Sequence, residues 1–295
     1  MIAKPKTIKT VALVANSRLD RSGKSILKKV DTFLQKREIK VCYQRHAAVV
    51  FKKKPTSTKV IMEKVDAVIT FGGDGTLIKL ARHATYKDIP VFSINLGTVG
   101  FLTEIQKTEK VIENLERLMS NKYRLDVRNL LRVTLYRKGK KIETFVALNE
   151  AVINQGNFAR LIELSAEINQ RRMVRFKADG IIVATPTGST GHSLSAGGPI
   201  VHPQLNAFVF TPVCPSALTM RPIIIPNNRQ LTLTIETERK FKDNQIALTI
   251  DGQIVVPLKY GDKIKIRRST RHFLLARMTN TRYYRMLRDK LHWGH

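Results

Sequence analysis

Asp74 is surrounded by Gly72, Gly73 and Gly75 in the stretch FGGDGTLIKLA, residues 71–81. The apolar, β-branched run VDAVITF (65–71) before it reads as a buried parallel strand. Apolar residues at 77, 78, 80, 81 and 84 suit one face of a following helix. The glycines therefore occupy a strand-to-helix turn, where ligands meet the carboxyl ends of strands in open α/β sheets. Glycine lets a ligand approach the main chain, and a helix N-terminus favours anions. A carboxylate set among such amides invites a metal ion or the proton of a hydroxyl. For the glycines alone, a tight turn without a ligand is the competing reading.

Three further stretches carry chemical potential. INLGTVGFLTE (94–104) places Asn95, Gly97 and Gly100 directly after another strand, with Phe101 as an aromatic face or a core filler. LNEAVI (148–153) sets Asn149 and Glu150 in an apolar strand pattern; together they offer a donor and acceptors suited to a vicinal diol such as ribose, or form a satisfied structural pair. Adjacent strand residues face opposite sides, so the pair needs a bend to converge. KADGIIVATPTGSTGHSLSAGGPIVHP (177–203) joins an apolar strand to a turn rich in hydroxyls and glycine, a cradle for phosphate or a sugar. No G-x-S-x-G elbow surrounds Ser189, which argues against a serine hydrolase. Gly23-Lys24-Ser25 ends like a phosphate-binding loop, but residue 18 is arginine where that pattern requires glycine. It reads as a helix start with Ser22 as the cap.

These residues need a scaffold, and the first ~125 residues alternate strand and helix signals in the manner of a parallel sheet with helices on its faces. Strands are expected at 9–15, 40–44, 65–71 and 89–96, and helices at 25–37, 76–84 and 109–120. From about Arg128 the pattern becomes mostly β, through 130–153, 161–185, QLTLTIETERK and QIALTIDGQIVVPL. The expected fold class is thus an α/β N-terminal domain (1–127) and a β-rich C-terminal domain (128–275). The tail, 276–295, has helical spacing in RYYRMLRDKLHWG and is expected to pack back on the first domain.

At 295 residues the chain is long enough for two such domains. No apolar stretch approaches the roughly 18–20 residues that span a bilayer, so a cytoplasmic protein without a membrane partner is expected. Cys42 and Cys214 stand alone, without metal-ligand neighbours. A net charge of +29 predicts attraction to polyanions. No zinc-finger spacing, RNP-like motif or basic zipper accompanies it, so no specific nucleic-acid partner is expected. The basic stretch 263–290 reads as a solvated surface, with some arginines satisfying carbonyls.

GGDGT, NLGTVGF, Asn149-Glu150, KADG and TPTGSTGHSLSAGGP occur in the order and approximate spacing of the NAD kinase family, and the chain resembles that family from residue 9 to the terminal LRDKLHWG. GGDGT alone is shared with diacylglycerol, sphingosine and phosphofructo-kinases; TPTGST followed by SLSAGGP is specific. The resemblance implies an active site between the two domains. It implies transfer of the γ-phosphoryl of ATP to the 2′-hydroxyl of the adenosine ribose of NAD, giving NADP, with polyphosphate as the donor in some bacterial members. A divalent ion, Mg2+, would bridge the donor phosphates, and the chain would form a homo-oligomer, a dimer or tetramer.

Carried over by position, Asp74 is the catalytic carboxylate and Gly75 lines the dinucleotide site. Asn149 and Glu150 bind the dinucleotide through its ribose. Arg160, Lys177 and Asp179 contact NAD, Asp179 across a subunit boundary. Thr190, Gly191, His192, Ser193, Leu194 and Ser195 wrap the ligand, and Gln253 completes the pocket after the Asp251-Gly252 turn. The metal's protein ligands are not assigned. Gly191-His192 stands where the family usually has Ala-Tyr, so a tyrosine contact does not carry over. Two rival functions share parts of this pattern: a lipid kinase with GGDGT, and a non-catalytic polyanion binder suggested by the charge.

Overall fold

The computed structural model describes residues 7–97, 100–103, 110–156, 161–238, 246–278 and 283–294. Residues 1–127 with 272–295 form one unit and residues 128–271 a second.

In the first unit, β1 (Thr10–Ala15), α1 (Arg21–Gln35), β2 (Lys40–Tyr43), α2 (Arg45–Phe51), α3 (Thr58–Lys64), β3 (Ala67–Phe71), α4 (Asp74–Ala81), β4 (Pro90–Ile94) and α5 (Val111–Met119) follow in order. The strands pair in parallel as β2-β1-β3-β4. Every residue of β3 and β4 is buried, as sheet strands covered on both faces require. Helix α1 buries Ile26, Leu27, Val30, Phe33 and Leu34, one stripe at helical spacing. It starts at Arg21, not Ser25, because the Asp20 carboxylate accepts the Gly23 N–H at 2.7 Å. Ser22 therefore lies inside the helix. A Cβ on Gly23 would stand 2.8 Å from the Leu19 and Leu96 side chains, so this glycine serves close packing. Helices α2 and α3, capped by Gln44 and Ser57, have no counterpart in the sequence reading. At seven residues each they are too short to show a clear apolar period.

The second unit holds β5 (Arg124–Arg137), β6 (Lys140–Ala147), β7 (Glu150–Gln155), β8 (Ile162–Ile168), β9 (Arg171–Ala178), β10 (Gly180–Ala184), the short α6 (His192–Ser195), β11 (Ala207–Val213), β12 (Ile223–Pro226), β13 (Leu231–Ile235), β14 (Ile246–Ile250), β15 (Ile254–Leu258) and β16 (Lys263–Arg277). Both β5 and β16 run across the unit boundary. The final helix, α7 (Tyr283–Leu291), belongs to the first unit, where Leu274 and Leu275 of β16 pair in parallel with Pro90 and Val91 of β4.

Within the second unit, β6-β5-β16-β13-β8-β9 and β12-β11-β10-β7-β14-β15 are two sheets. Leu131, Val133, Leu135, Leu233, Ile264 and Ile266 of one sheet share a core with Ile153, Val183, Phe208, Phe210 and Leu248 of the other. The inward set recurs every second residue, the period of a β-sandwich face. Over the outside of the second sheet, Val201 and Ala196 pack against Ile182, Ala184 and Val209. The segment that follows TPTGST is thereby laid across β10 and β11.

Candidate functional site

In the first unit β3 ends at Phe71 and α4 begins at Asp74, so the glycine turn is two residues long. Gly72 has φ of +151°, and a Cβ there would meet the Thr76 hydroxyl at 2.5 Å. A Cβ at Gly73 or Gly75 would meet nothing within 4 Å, which leaves open space beside the turn. The second glycine loop closes onto Asp74. Phe101 N–H donates to Asp74 Oδ2 at 2.7 Å, and the N–H groups of Leu102 and Thr103 each donate to Oδ1 at 3.2 Å. A Cβ on Gly100 would sit 1.9 Å from Asp74 Oδ1, so only glycine permits this approach without moving the carboxylate. Arg277 holds the loop from its other side, with Nη1 on the Leu102 carbonyl at 2.8 Å and Nε on Asp126 at 3.0 Å. A carboxylate offers about four lone-pair positions, so three N–H donors leave Asp74 able to accept one more hydrogen bond.

In the second unit Asp251 organises the cluster. With Gly252 it forms the left-handed turn between β14 and β15, at φ of +50° and +63°. Its carboxylate accepts the N–H groups of Leu148, Asn149 and Glu150 at 2.8–3.0 Å, fixing a bend between β6 and β7. That bend removes the strict strand alternation between Asn149 and Glu150. The Thr185 hydroxyl donates to the Leu148 carbonyl at 2.6 Å and accepts the Gly188 N–H, which ties the TPTGST turn to the same bend. Gly188 has to be glycine, since a Cβ would stand 2.3 Å from the Asn149 carbonyl oxygen.

Glu150 is 1 % exposed, and His192 Nδ1 lies 2.8 Å from its Oε1. Against the ionised carboxylate the imidazole N–H donates. Its other oxygen, Oε2, is buried without a hydrogen-bond partner among the described residues, as is Oε1 of Gln253. Burial pushes the Glu150 carboxyl above its ordinary range; His192 opposes the shift and the Asp251 charge adds to it. A Cβ on Gly191 would come within 3.1 Å of Glu150 Oε2 and 3.9 Å of Asn149 Nδ2. Gly252 sits against the His192 ring, its would-be Cβ 3.6 Å from Cε1. Asn149, Glu150, Gly191, His192 and the 251–253 turn thus form one cluster with two unpartnered acceptors, an arrangement suited to hydroxyl donors.

The other residues singled out by sequence have different settings. Thr190 Oγ1 donates to the Thr187 carbonyl, and Ser193 is buried with its hydroxyl on Thr211. Ser189, fully buried, donates to the Pro186 carbonyl and accepts the Val201 N–H. Ser189 and Thr190 thus bond carbonyls of their own loop, while Thr185 ties the loop to Leu148 and Ser193 ties α6 to Thr211 of β11. Leu194 is half-buried and Ser195 exposed on α6. Lys177 is exposed, its carbonyl accepting the Ser216 N–H, and the Asp179 N–H donates to Val213. In the β7–β10 pair Glu150 faces Ala184 while Asn154 faces Gly180. Asp179 thus lies at the opposite end from Glu150, roughly 17 Å along the strands at about 3.3 Å per residue. Arg160 lies outside the described residues. Sequence reasoning missed Arg277 and saw Asp251 only as a turn. The Asp-Gly pair between two apolar runs signalled that turn but not its three acceptor bonds.

The model of the ATP-NAD kinase N-terminal domain matches residues 10–123, and that of the ATP-NAD kinase C-terminal domain matches residues 148–278. The chain is 45 % identical to an NAD kinase of Geotalea daltonii over 79 % of its own length and 81 % of the relative's. It is 38 % identical to an NAD kinase of Trichlorobacter lovleyi over 97 % of this chain and 99 % of the other. Among solved structures, a yeast NADH kinase complexed with NADH superposes with a TM-score of 0.87 at 25 % identity, covering 98 % of this chain and 89 % of that one. An NAD kinase from Archaeoglobus fulgidus in complex with ATP gives a TM-score of 0.72 at 25 % identity, over 96 % and 98 %. Matched in both of its domains and along nearly its whole length, this chain belongs to the NAD kinase family.

Proposed function

We propose that this chain transfers the γ-phosphoryl of ATP to the 2′-hydroxyl of the adenosine ribose of NAD, giving NADP. The observation that carries the reading is the Asp74 carboxylate, held by three main-chain N–H groups at a glycine turn with open space beside it. Phosphoryl transfer demands positioning and charge stabilisation more than covalent chemistry from the protein. Asp74 keeps acceptor capacity for the ribose hydroxyl, orients it, and takes its proton late as the O–P bond forms. The free acceptors of Glu150 and Gln253 receive sugar hydroxyls, and Asn149 supplies a donor beside them. A side chain at Gly75 would enter the open space beside the turn, where the proposed dinucleotide lies.

Mg2+ is proposed to arrive on the donor phosphates. Among the described residues no three His, Cys, Asp or Glu side chains come together as a ligand set. That fits an ion of this kind, usually held by one or two carboxylates plus substrate phosphates. Asp74 would be the protein carboxylate available to it, and its chemistry would be to neutralise charge on the transferring phosphoryl group. Arg160 and Lys177 contact NAD in this reading, and Asp179, at the far end of the β7–β10 pair, fits a homo-oligomer in which it serves a neighbouring subunit's dinucleotide. No helix among the described residues is long and apolar enough to cross a membrane.

The test is NADP formation from NAD and Mg-ATP, read by an NADP-specific dehydrogenase, with Asp74→Asn alongside. Signal from the parent and its loss in a folded, NAD-binding variant is the expected result. Silence from a folded, NAD-binding parent would overturn ATP as the donor, and the same assay with polyphosphate would then identify the alternative.

A further inference from the structure

One cavity of the second unit lies apart from the Glu150 cluster, on the outward face of the other sheet. It measures about 130 Å³ and is lined by Arg132, Thr134, Tyr136, Lys141, Gln230, Lys265 and Arg267. Arg132, Thr134 and Tyr136 alternate on β5 with the core residues Leu131, Val133 and Leu135, and Lys265 and Arg267 flank Ile266 of the core on β16. The sandwich core therefore separates this cavity from the strand that carries Glu150.

Four cationic side chains converge here and no carboxylate lines the cavity. None of the four forms a salt bridge among the described residues. Two other arginines of the sheet are neutralised: Arg137 by Asp262 at 2.7 Å, and Arg175 by Glu163 at 2.9 Å. Lys265 is held in place, its Nζ 4.7 Å from the Tyr136 ring centroid. Thr134 is fixed by a 3.2 Å bond to Thr144. Like charges gathered without a counter-charge repel one another, and a multivalent anion relieves that repulsion. Guanidinium groups match phosphate oxygens geometrically, while Lys, Thr, Tyr and Gln add single donors.

We propose that this cavity is a binding site for a short condensed phosphate, of pyrophosphate or tripolyphosphate size. Its volume is far below the roughly 300–1,000 Å³ of pockets that enclose organic ligands, and an inorganic anion is the chemistry that remains. A nucleic-acid strand is disfavoured by the lining, because base stacking needs open aromatic faces and Tyr136, the one aromatic residue there, is covered by Lys265.

The test is titration of the full chain with tripolyphosphate at low ionic strength. It compares the parent with Arg132→Gln/Arg267→Gln and with a charge-matched control on the exposed face of α1, Lys28→Gln/Lys29→Gln. We expect the first variant to bind at least about tenfold more weakly, as loss of two charge-assisted contacts implies, and the control to bind like the parent. NADP formation from ATP should stay within about twofold in both, since neither alters the catalytic or dinucleotide residues. Independently of any variant, tripolyphosphate should protect Lys265 and Lys141 of the parent from acetylation, read by mass spectrometry. Equal weakening in both variants would overturn the site in favour of overall charge, and absence of lysine protection would overturn it outright. Displacement of tripolyphosphate by a single-stranded oligonucleotide that binds more tightly at equal phosphate concentration would reassign the face to nucleic acid.

Discussion

The Asp74 and Glu150 clusters solve one problem in two ways. Each sets a carboxylate beside a bend that main-chain N–H groups would otherwise leave unsatisfied. At the first, Asp74 itself accepts the three N–H groups of residues 101–103. At the second, Asp251 accepts those of residues 148–150, and Glu150 keeps one oxygen free. On the proposed function, scaffolding and ligand recognition are thus divided between two residues in one unit and combined in one residue in the other. Where they are combined, a change to the carboxylate strikes chemistry and loop together; where they are divided, the two effects separate.

The largest effect is expected at Asp74. Asp74→Asn turns an amide N–H toward donors that need an acceptor, and it removes the proton acceptor. Turnover should fall by about 10²–10⁴-fold, the range of general-base help, with NAD still bound in equilibrium dialysis. Retained turnover with lost NAD affinity would make Asp74 a second Asp251 and break the contrast.

Asp251→Ala should act through stability and affinity. It orphans N–H groups at the bend, at a cost of about 3 kcal/mol measurable by urea denaturation. The NAD KM should rise by roughly tenfold or more as Glu150 loses its fixed orientation, with kcat less affected. Asp251→Asn, which keeps one acceptor oxygen, should recover part of both.

The two close-approach glycines sharpen the comparison. A Cβ at 188 meets main chain, so Gly188→Ala should cost about 1–3 kcal/mol of stability as the Asn149 bend shifts. The atoms nearest a Cβ at 100 are those of the Asp74 carboxylate, which can turn away. Gly100→Ala should therefore leave stability within about 0.5 kcal/mol while lowering turnover by at least about tenfold through misplacement. Equal melting-temperature losses in the two variants would contradict this.

The smallest effect concerns pH. Burial raises the folded-state carboxyl of Glu150 above its unfolded value. Its contribution to stability is therefore present below the ordinary carboxylate range and is lost as pH rises through the raised value. Glu150→Gln removes that dependence, so across this window thermal melts should show a flatter decline with pH than in the parent. The same variant should bind NAD more weakly, which a stability readout alone does not report.

Local pattern carried much of this protein's architecture. VDAVITF followed by GGDGT placed a strand end and a helix start within two or three residues of where they occur, because apolar period and glycine permissiveness act over a few neighbours. The run 130–153, expected to be mostly β, likewise occurs as β5, β6 and the start of β7. Short elements such as α2 and α3 escaped, since seven residues repeat no pattern.

The site was legible as a set of residue types and not as a set of partners. The sequence put Asp74 and Gly100 in separate loops; the fold bonds Asp74 to Phe101, 27 positions away. It likewise joins Asp251 to Leu148 across 103 positions, and Arg277 to the Leu102 carbonyl across 175. The Ser189 and Thr190 hydroxyls of TPTGST, which as residue types suit a ligand, bond the loop's own carbonyls. Periodicity and turn chemistry are properties of adjacent residues and survive in a linear reading. Which donor meets which acceptor depends on strand register and on how sheets and loops close over one another, and only the folded chain sets those.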